Sequence, residues 1–166
     1  QIDPTADAAV GVAYMYYKKG DYDNAVKYFD EALAKETDND KKAEMAYATA
    51  AALMQAKNLP QARSYCQKAM SFKENYGEPY ILLAQLYGSN PNWTDEPALN
   101  RCTYYVVIDK LQRAKAVDPS VTDKVNELIA TYARHTPQAK DLFMLGYKAG
   151  DRITIGGWIG ESTTIR

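Results

Sequence analysis

One histidine, His135, and two cysteines, Cys66 and Cys102, are all the sequence holds of its commonest metal-binding and nucleophilic side chains. A lone imidazole leaves no histidine pair for a metal and makes histidine-driven hydrolysis a poor fit. The two cysteines form neither a CxxC ligand pair nor a disulfide framework, and only pairing with each other stays open to them. No apolar run approaches the roughly 18 residues of a membrane span, and the first residues show no basic–apolar–small signal pattern. Charge of one sign is also missing: 20 Lys and Arg stand against 21 Asp and Glu, a net charge of −1. So even a balance lacks the footprint of a nucleic-acid binder or a polybasic membrane binder. What the chain has in excess is tyrosine, 14 of 166 residues against 3 Phe and 2 Trp. That excess needs a physical reason.

Helical periodicity supplies part of it. Ala9, Val12, Ala13 and Tyr16 line one face of a first helix, and Ala25, Phe29 and Ala32 line a second beyond the break Lys19-Gly20-Asp21. The pattern returns at Ala46, Thr49, Ala50 and Leu53 with Ala62, Cys66 and Ala69, and again at Tyr80, Leu83, Ala84 and Tyr87 with Val107, Leu111 and Ala114. Small residues at Ala13, Ala50 and Ala84 let each first helix lie close to its mate. Tyr16, Phe29, Leu53, Tyr87 and Leu111 fill the space left over. A single pair cannot bury its own apolar face, so the pairs must stack.

This spacing, with Tyr16-Tyr17-Lys18-Lys19-Gly20-Asp21-Tyr22-Asp23-Asn24-Ala25 and the closing Ala114-Lys115-Ala116-Val117-Asp118-Pro119, resembles the tetratricopeptide repeat. The resemblance covers residues 2 to 121 and implies an all-α, right-handed α-α superhelix. Ile2-Asp3-Pro4 looks like the end of a preceding repeat, from which we expect a piece of a longer array. The expected organisation is residues 1–5 as that remnant, 6–121 as three helix pairs, 122–149 as a degenerate capping pair, and 150–166 as an extended tail. The third pair spans 23 residues from Ala84 to Val107 where the others span 12, which places an insertion near 88–103. Its loop carries Trp93, and Ala98 to Val117 reads as one helix of ~30 Å. Beyond Pro119, Val121, Val125, Leu128, Ile129 and Tyr132 form a stripe. A further helix is expected over 137–148 with Ala139, Leu142, Phe143 and Gly146 inward. The tail, with Ile153-Thr154-Ile155 and Ser162-Thr163-Thr164-Ile165 around glycines, has strand-like composition. It is similar to the C-terminal segments of certain bacterial envelope proteins of the same family, which implies an envelope or periplasmic setting over a cytoplasmic one.

The resemblance also implies where a partner sits: in the concave groove lined by the first helix of each pair. Val10, Tyr14 and Tyr17 occupy that face in repeat one, Tyr47, Ala51 and Met54 in repeat two, and Ile81 and Gln85 in repeat three. Such a strip suits a peptide or protein partner; alternatively, these side chains only pack between repeats. A subset of the family holds C-terminal carboxylates with a Lys, Asn and Arg clamp. Here those places hold Val10, Tyr14, Tyr47 or Ala48, Glu78 and Leu82, so that role does not carry over. Gly156-Gly157-Trp158-Ile159-Gly160 lacks the strand, helix and Lys of a phosphate loop, and Asp38-Asn39-Asp40 lacks the Gly and distal Glu of a calcium loop. Cys66 reads as a buried structural thiol and His135 as a charge at a helix end. Trp93 either closes the solenoid or anchors a partner, and Trp158 reads as a plug for the last helix. The function expected is a non-enzymatic, cofactor-free scaffold that binds a protein or peptide through Val10, Tyr14, Tyr17, Tyr47, Met54, Ile81, Gln85 and Trp93. The competing reading is a structural segment that assembles through its tail.

Overall fold

In the computed structural model, which describes residues 5–166, the chain is mostly helical and divides between Leu82 and Leu83 into two compact units. The Ile2-Asp3-Pro4 reading lies outside the described residues. No helix among the described residues is long and apolar enough to cross a membrane.

The first unit consists of α1 (Ala6–Lys18), α2 (Tyr22–Lys35), α3 (Asn39–Gln55), α4 (Leu59–Phe72) and the opening turn of α5 (Glu78–Ser89). Successive helices pack on each other, α1 on α2, α2 on α3 and α3 on α4. Ala13, Ala25, Ala32, Ala50, Ala52, Ala62 and Ala69 are all completely buried, as the small-residue pattern requires. Phe29 fills the space among Ala13, Ala25, Ala48 and Ala52, with Val10, Tyr16 and Tyr17 against its cluster. Two helix ends share one construction. At the close of α1, Gly20 takes a φ of +78°, its N–H donating to Tyr17 O and that of Asp21 to Tyr16 O. At the close of α3, Lys57 takes a φ of +63°, with the matching bonds from Lys57 N to Met54 O and from Asn58 N to Leu53 O. Asp21 and Asn58 then cap the next helices by accepting from Asn24 N and Gln61 N. Asp38, in the Asp-Asn-Asp run, caps α3 by accepting from Lys41 N.

The second unit continues α5 and adds α6 (Pro97–Arg101), α7 (Thr103–Val117), a 3₁₀ turn (Pro119–Val121), α8 (Thr122–Ala133), α9 (Ala139–Met144), β1 (Arg152–Thr154) and β2 (Ser162–Thr164). The single helix expected from Ala98 to Val117 is interrupted at Cys102. Cys102 N bonds to Leu99 O and Tyr105 N to Cys102 O, both three residues back, while the Thr103 hydroxyl donates to Pro91 O at 2.8 Å. The insertion loop draws the second helix out of register there. The last helix is also shorter than the 137–148 expected. Gly146, at a φ of +88°, ends it with bonds from Gly146 N to Phe143 O and Tyr147 N to Leu142 O. Only Leu142 of its inward set is buried, and Ala139, Phe143 and Gly146 are exposed.

The tail is a two-stranded antiparallel hairpin that pairs Ile153 with Thr163. It lies on α7: the Thr163 hydroxyl donates to Asp109 at 2.7 Å, the Lys110 ammonium pairs with Glu161 at 2.6 Å, and Arg166 pairs with Asp109. Glu161 also accepts from the Tyr87 hydroxyl, and Trp158 meets the Tyr87 ring edge-on at 5.3 Å. Gly156 stands where a side chain has no room, since a Cβ would come within 2.8 Å of the Trp93 ring.

Two outcomes follow. Gly156→Ala forces Trp93 or the hairpin to move and is expected to cost about 1–3 kcal/mol in denaturant unfolding. Lys57→Gly removes a left-handed penalty of about 1–2 kcal/mol, less an entropic cost of about 0.5–1 kcal/mol, and is expected to stabilise the protein.

Candidate functional site

The first helices bring a small aromatic surface together in the first unit. Val10 and Tyr14 of α1, Phe29 of α2, and Met45 and Ala48 of α3 line a hollow of about 240 Å³, with Asp7, Lys41 and Glu44 at its edge. Tyr14 is 48% exposed and stands edge-on to the buried Phe29 ring at 4.9 Å. It therefore has a fixed inner edge and an open outer one, the arrangement that lets an aromatic side chain hold a ligand with little loss of freedom.

Tyr47 lies one residue before Ala48 on α3 and meets Tyr76 edge-on at 5.9 Å. Burial pushes its hydroxyl up to about 12, with the Glu78 carboxylate, the Cys66 thiol and the Tyr17 and Tyr14 hydroxyls adding to the rise. Burial likewise raises Tyr76, helped by Tyr47, Glu44, Glu78 and Tyr14. Each tyrosine thus stays protonated and able to donate across the ordinary pH range. Tyr17 packs edge-on against Tyr22 at 5.4 Å, so it is half committed to the turn between α1 and α2.

Not every expected residue is placed alike. Val10 and Tyr14 line the hollow; Tyr17 and Tyr47 are not among its lining residues, though the Tyr14 and Tyr17 hydroxyls are near enough to Tyr47 to raise it. Met54 is half-buried about two helical turns beyond Tyr47 on α3. Ile81 is only 1% exposed and offers no open surface, and its neighbours Leu82 and Leu83 are buried too. Gln85 is half-buried in the second unit. Trp93 is taken up within that unit: its indole N–H donates to Leu99 O at 3.2 Å, and its ring covers Gly156. Asn100 holds the loop beneath it, accepting from Trp93 N at 2.9 Å and Thr94 N at 3.0 Å.

The groove positions read from the sequence leave out Phe29 and Met45, which wall the hollow from within the core, and the half-buried Tyr76. Phe29 and Met45 look like core in a periodicity plot because they are core, and they also supply the wall of the hollow. Tyr76 sits in the turn before α5, where no helical period marks it. Cys66 and Cys102 are both buried free thiols, and burial raises them to about 12 and about 11. Neither has the exposure or the cationic neighbour of a reactive cysteine. His135 follows α8 and lies at 5.2 Å from the Tyr104 ring.

Residues 6–39, which make up α1, α2 and the turn into α3, match the family model of the tetratricopeptide repeat. Among curated proteins, no relative matches the sequence. Solved structures of similar fold include the TPR2B domain of yeast Sti1 in complex with pHsp70, at 23% identity and a TM-score of 0.63. That match covers 78% of this chain and 96% of the other. The first TPR of Spaghetti (RPAP3), bound to an HSP90 peptide, is 15% identical with a TM-score of 0.61, covering 80% of this chain and 97% of that one. The Sgt2 TPR domain from Aspergillus fumigatus is 12% identical with a TM-score of 0.63, covering 93% and 92%.

The raised Tyr47 hydroxyl has a pH consequence. Its folded value of about 12 lies above the usual value near 10, so the neutral form is favoured by folding. The stability this contributes is complete below about pH 10 and is lost as pH climbs toward 12. Tyr47→Phe is expected to flatten that alkaline loss in thermal melts across the same window, and an unchanged profile would disprove the assignment.

Proposed function

We propose that the chain, which shares the fold of tetratricopeptide-repeat domains and matches that repeat's model over residues 6–39, is a non-enzymatic interaction scaffold that binds a protein or peptide segment along the tyrosine-lined surface of α1 and α3. The observation that carries this reading is the half-exposed Tyr14, braced on Phe29 over a hollow walled by Val10, Met45 and Ala48. Two relatives of the same fold carry bound partners, pHsp70 in yeast Sti1 and an HSP90 peptide in Spaghetti. The chemistry here differs from a carboxylate clamp. Val10, Tyr14 and Glu78 stand at places where the clamp has donors, and the hollow's edge carries one lysine and two carboxylates. A segment with an apolar side chain for the hollow and neutral polar groups for Tyr14, Tyr17, Tyr47 and Tyr76 fits better than a free acidic terminus. Binding works by presentation: a preformed surface meets the segment without an ordering cost of its own.

Assembly through the tail has less support. The hairpin's Thr163, Glu161 and Arg166 side chains are already engaged by Asp109, Lys110 and Tyr87 inside the second unit. Ile81 and Trp93 drop out of the proposed surface for the reasons of burial and packing given above.

Peptides selected from a random display library on the whole chain supply the test. The expected result is that Tyr14→Ala weakens the best selected peptide about tenfold or more, the scale of an aromatic anchor, while Tyr14→Phe retains most of the binding. Peptides whose affinity ignores both Tyr14→Ala and Tyr47→Ala would overturn the groove.

A further inference from the structure

Five large apolar side chains are exposed among the described residues, and three of them are consecutive: Phe143 at 76%, Met144 at 84% and Leu145 at 39%. They end α9, where the Gly146 turn fixes them outward rather than letting the helix continue. Beside them the second unit holds a hollow of about 470 Å³ between α9 and the end of the tail. Its apolar surface comes from Leu142, Phe143, Met144, Tyr147 and Ile165. Leu142 and Ile165 are buried and make the floor, while Phe143 and Met144 form an exposed wall.

The charges around it have one sign. Lys140 and Lys148 stand at its edge with Arg166, and no Asp or Glu is among its lining residues. Arg166 is paired with Asp109, and the Asp151 carboxylate, which is not among the lining residues, accepts from the Lys148 backbone N–H at 3.0 Å. An apolar concavity under two lysines is complementary to an apolar ridge flanked by carboxylates.

We propose that this hollow docks an amphipathic helix of a partner protein, its leucine-like side chains entering beside Leu142 and Ile165 and its acidic flank facing Lys140 and Lys148. A helix presents such a ridge from residues three and four apart. A lipid surface matches less well, because a flat bilayer covers protruding side chains but leaves a hollow unfilled. A second copy pairing through the same face would oppose Lys140 and Lys148 with themselves, which like-charge repulsion disfavours. The hollow shares no residue with the surface of α1 and α3, so the two sites stand or fall separately.

The probe is a labelled synthetic helix of about four turns with Leu at i, i+3, i+4 and i+7 and Glu on both flanks, titrated by fluorescence anisotropy against the whole chain. A twin with Lys in place of Glu is the control. The Glu helix is expected to bind saturably and better than its twin. Phe143→Ser with Met144→Ser is expected to weaken it about tenfold or more, the scale of a buried anchor, and Lys140→Glu with Lys148→Glu should reverse the preference between the two helices. All four positions are at the surface, so the variants should melt like the parent, and Tyr14→Ala should leave this binding unchanged. Equal binding of both helices, or indifference to the Phe143 and Met144 substitutions, overturns the proposal. So does a concentration-dependent dimer abolished by Phe143→Ser, or binding to phosphatidylglycerol vesicles in place of the helix.

Discussion

Close approach of helices at alanine is the constraint on which everything else in this chain depends. Ala13 on α1, Ala25 on α2, Ala50 and Ala52 on α3 and Ala62 on α4 are completely buried, and each has no more than a methyl group to place between two backbones. A larger side chain at any of them would push two helices apart by more than the packed interior tolerates. Because the alanines bring the helices near, one large residue, Phe29, can close the gap among α1, α2 and α3. The same closeness lets the half-exposed Tyr14 stand edge-on against the buried Phe29 ring. Core and candidate surface are therefore two faces of one contact.

The tyrosine excess resolves into separate duties. Tyr87 is wholly buried and carries the hairpin through Glu161 and Trp158. Tyr65 fastens α4 to α2 through a 2.6 Å bond to Asp30, and Tyr16 stacks on Tyr28. Tyr105 sits under the Arg166 guanidinium, and Tyr104 lies between Tyr132 and His135. Tyr14, Tyr17, Tyr47 and Tyr76 make up the proposed binding surface, Tyr22 packs on Tyr17, and Tyr147 lines the hollow beside α9. Tyrosine suits all these places for one reason: it buries a ring and still brings a hydroxyl to the boundary with water.

Insertion and tail work as one device in the second unit. The extra residues of the third helix pair make a loop whose Trp93 would have no neighbour in a plain repeat, and Gly156 gives it one. Asp109 and Lys110, adjacent on α7, hold Thr163, Arg166 and Glu161. The hairpin region buries Ile153, Ile155, Ile159 and Ile165 around two strands of three residues each. Where that burial stops, at α9, Phe143 and Met144 are left in the open.

The sequence by itself determined the repeat. The helix pairs of the first unit, the break at Gly20-Asp21 and the buried alanines follow from spacing, because a 3.6-residue period and a small-residue contact are written in consecutive residues. Strand-like composition also marked the hairpin. Only the tertiary structure decided what depends on contacts far apart in the chain. Ile81 shares a stripe position with the half-exposed Tyr14, yet it is buried. Trp93 could not be assigned until Gly156, more than sixty residues later, was seen beneath it. Phe143 reads as inward by period, but the left-handed Gly146 cuts the helix short and leaves the ring exposed. Periodicity states which residues share a face. Which face finds a neighbour is settled by the rest of the chain.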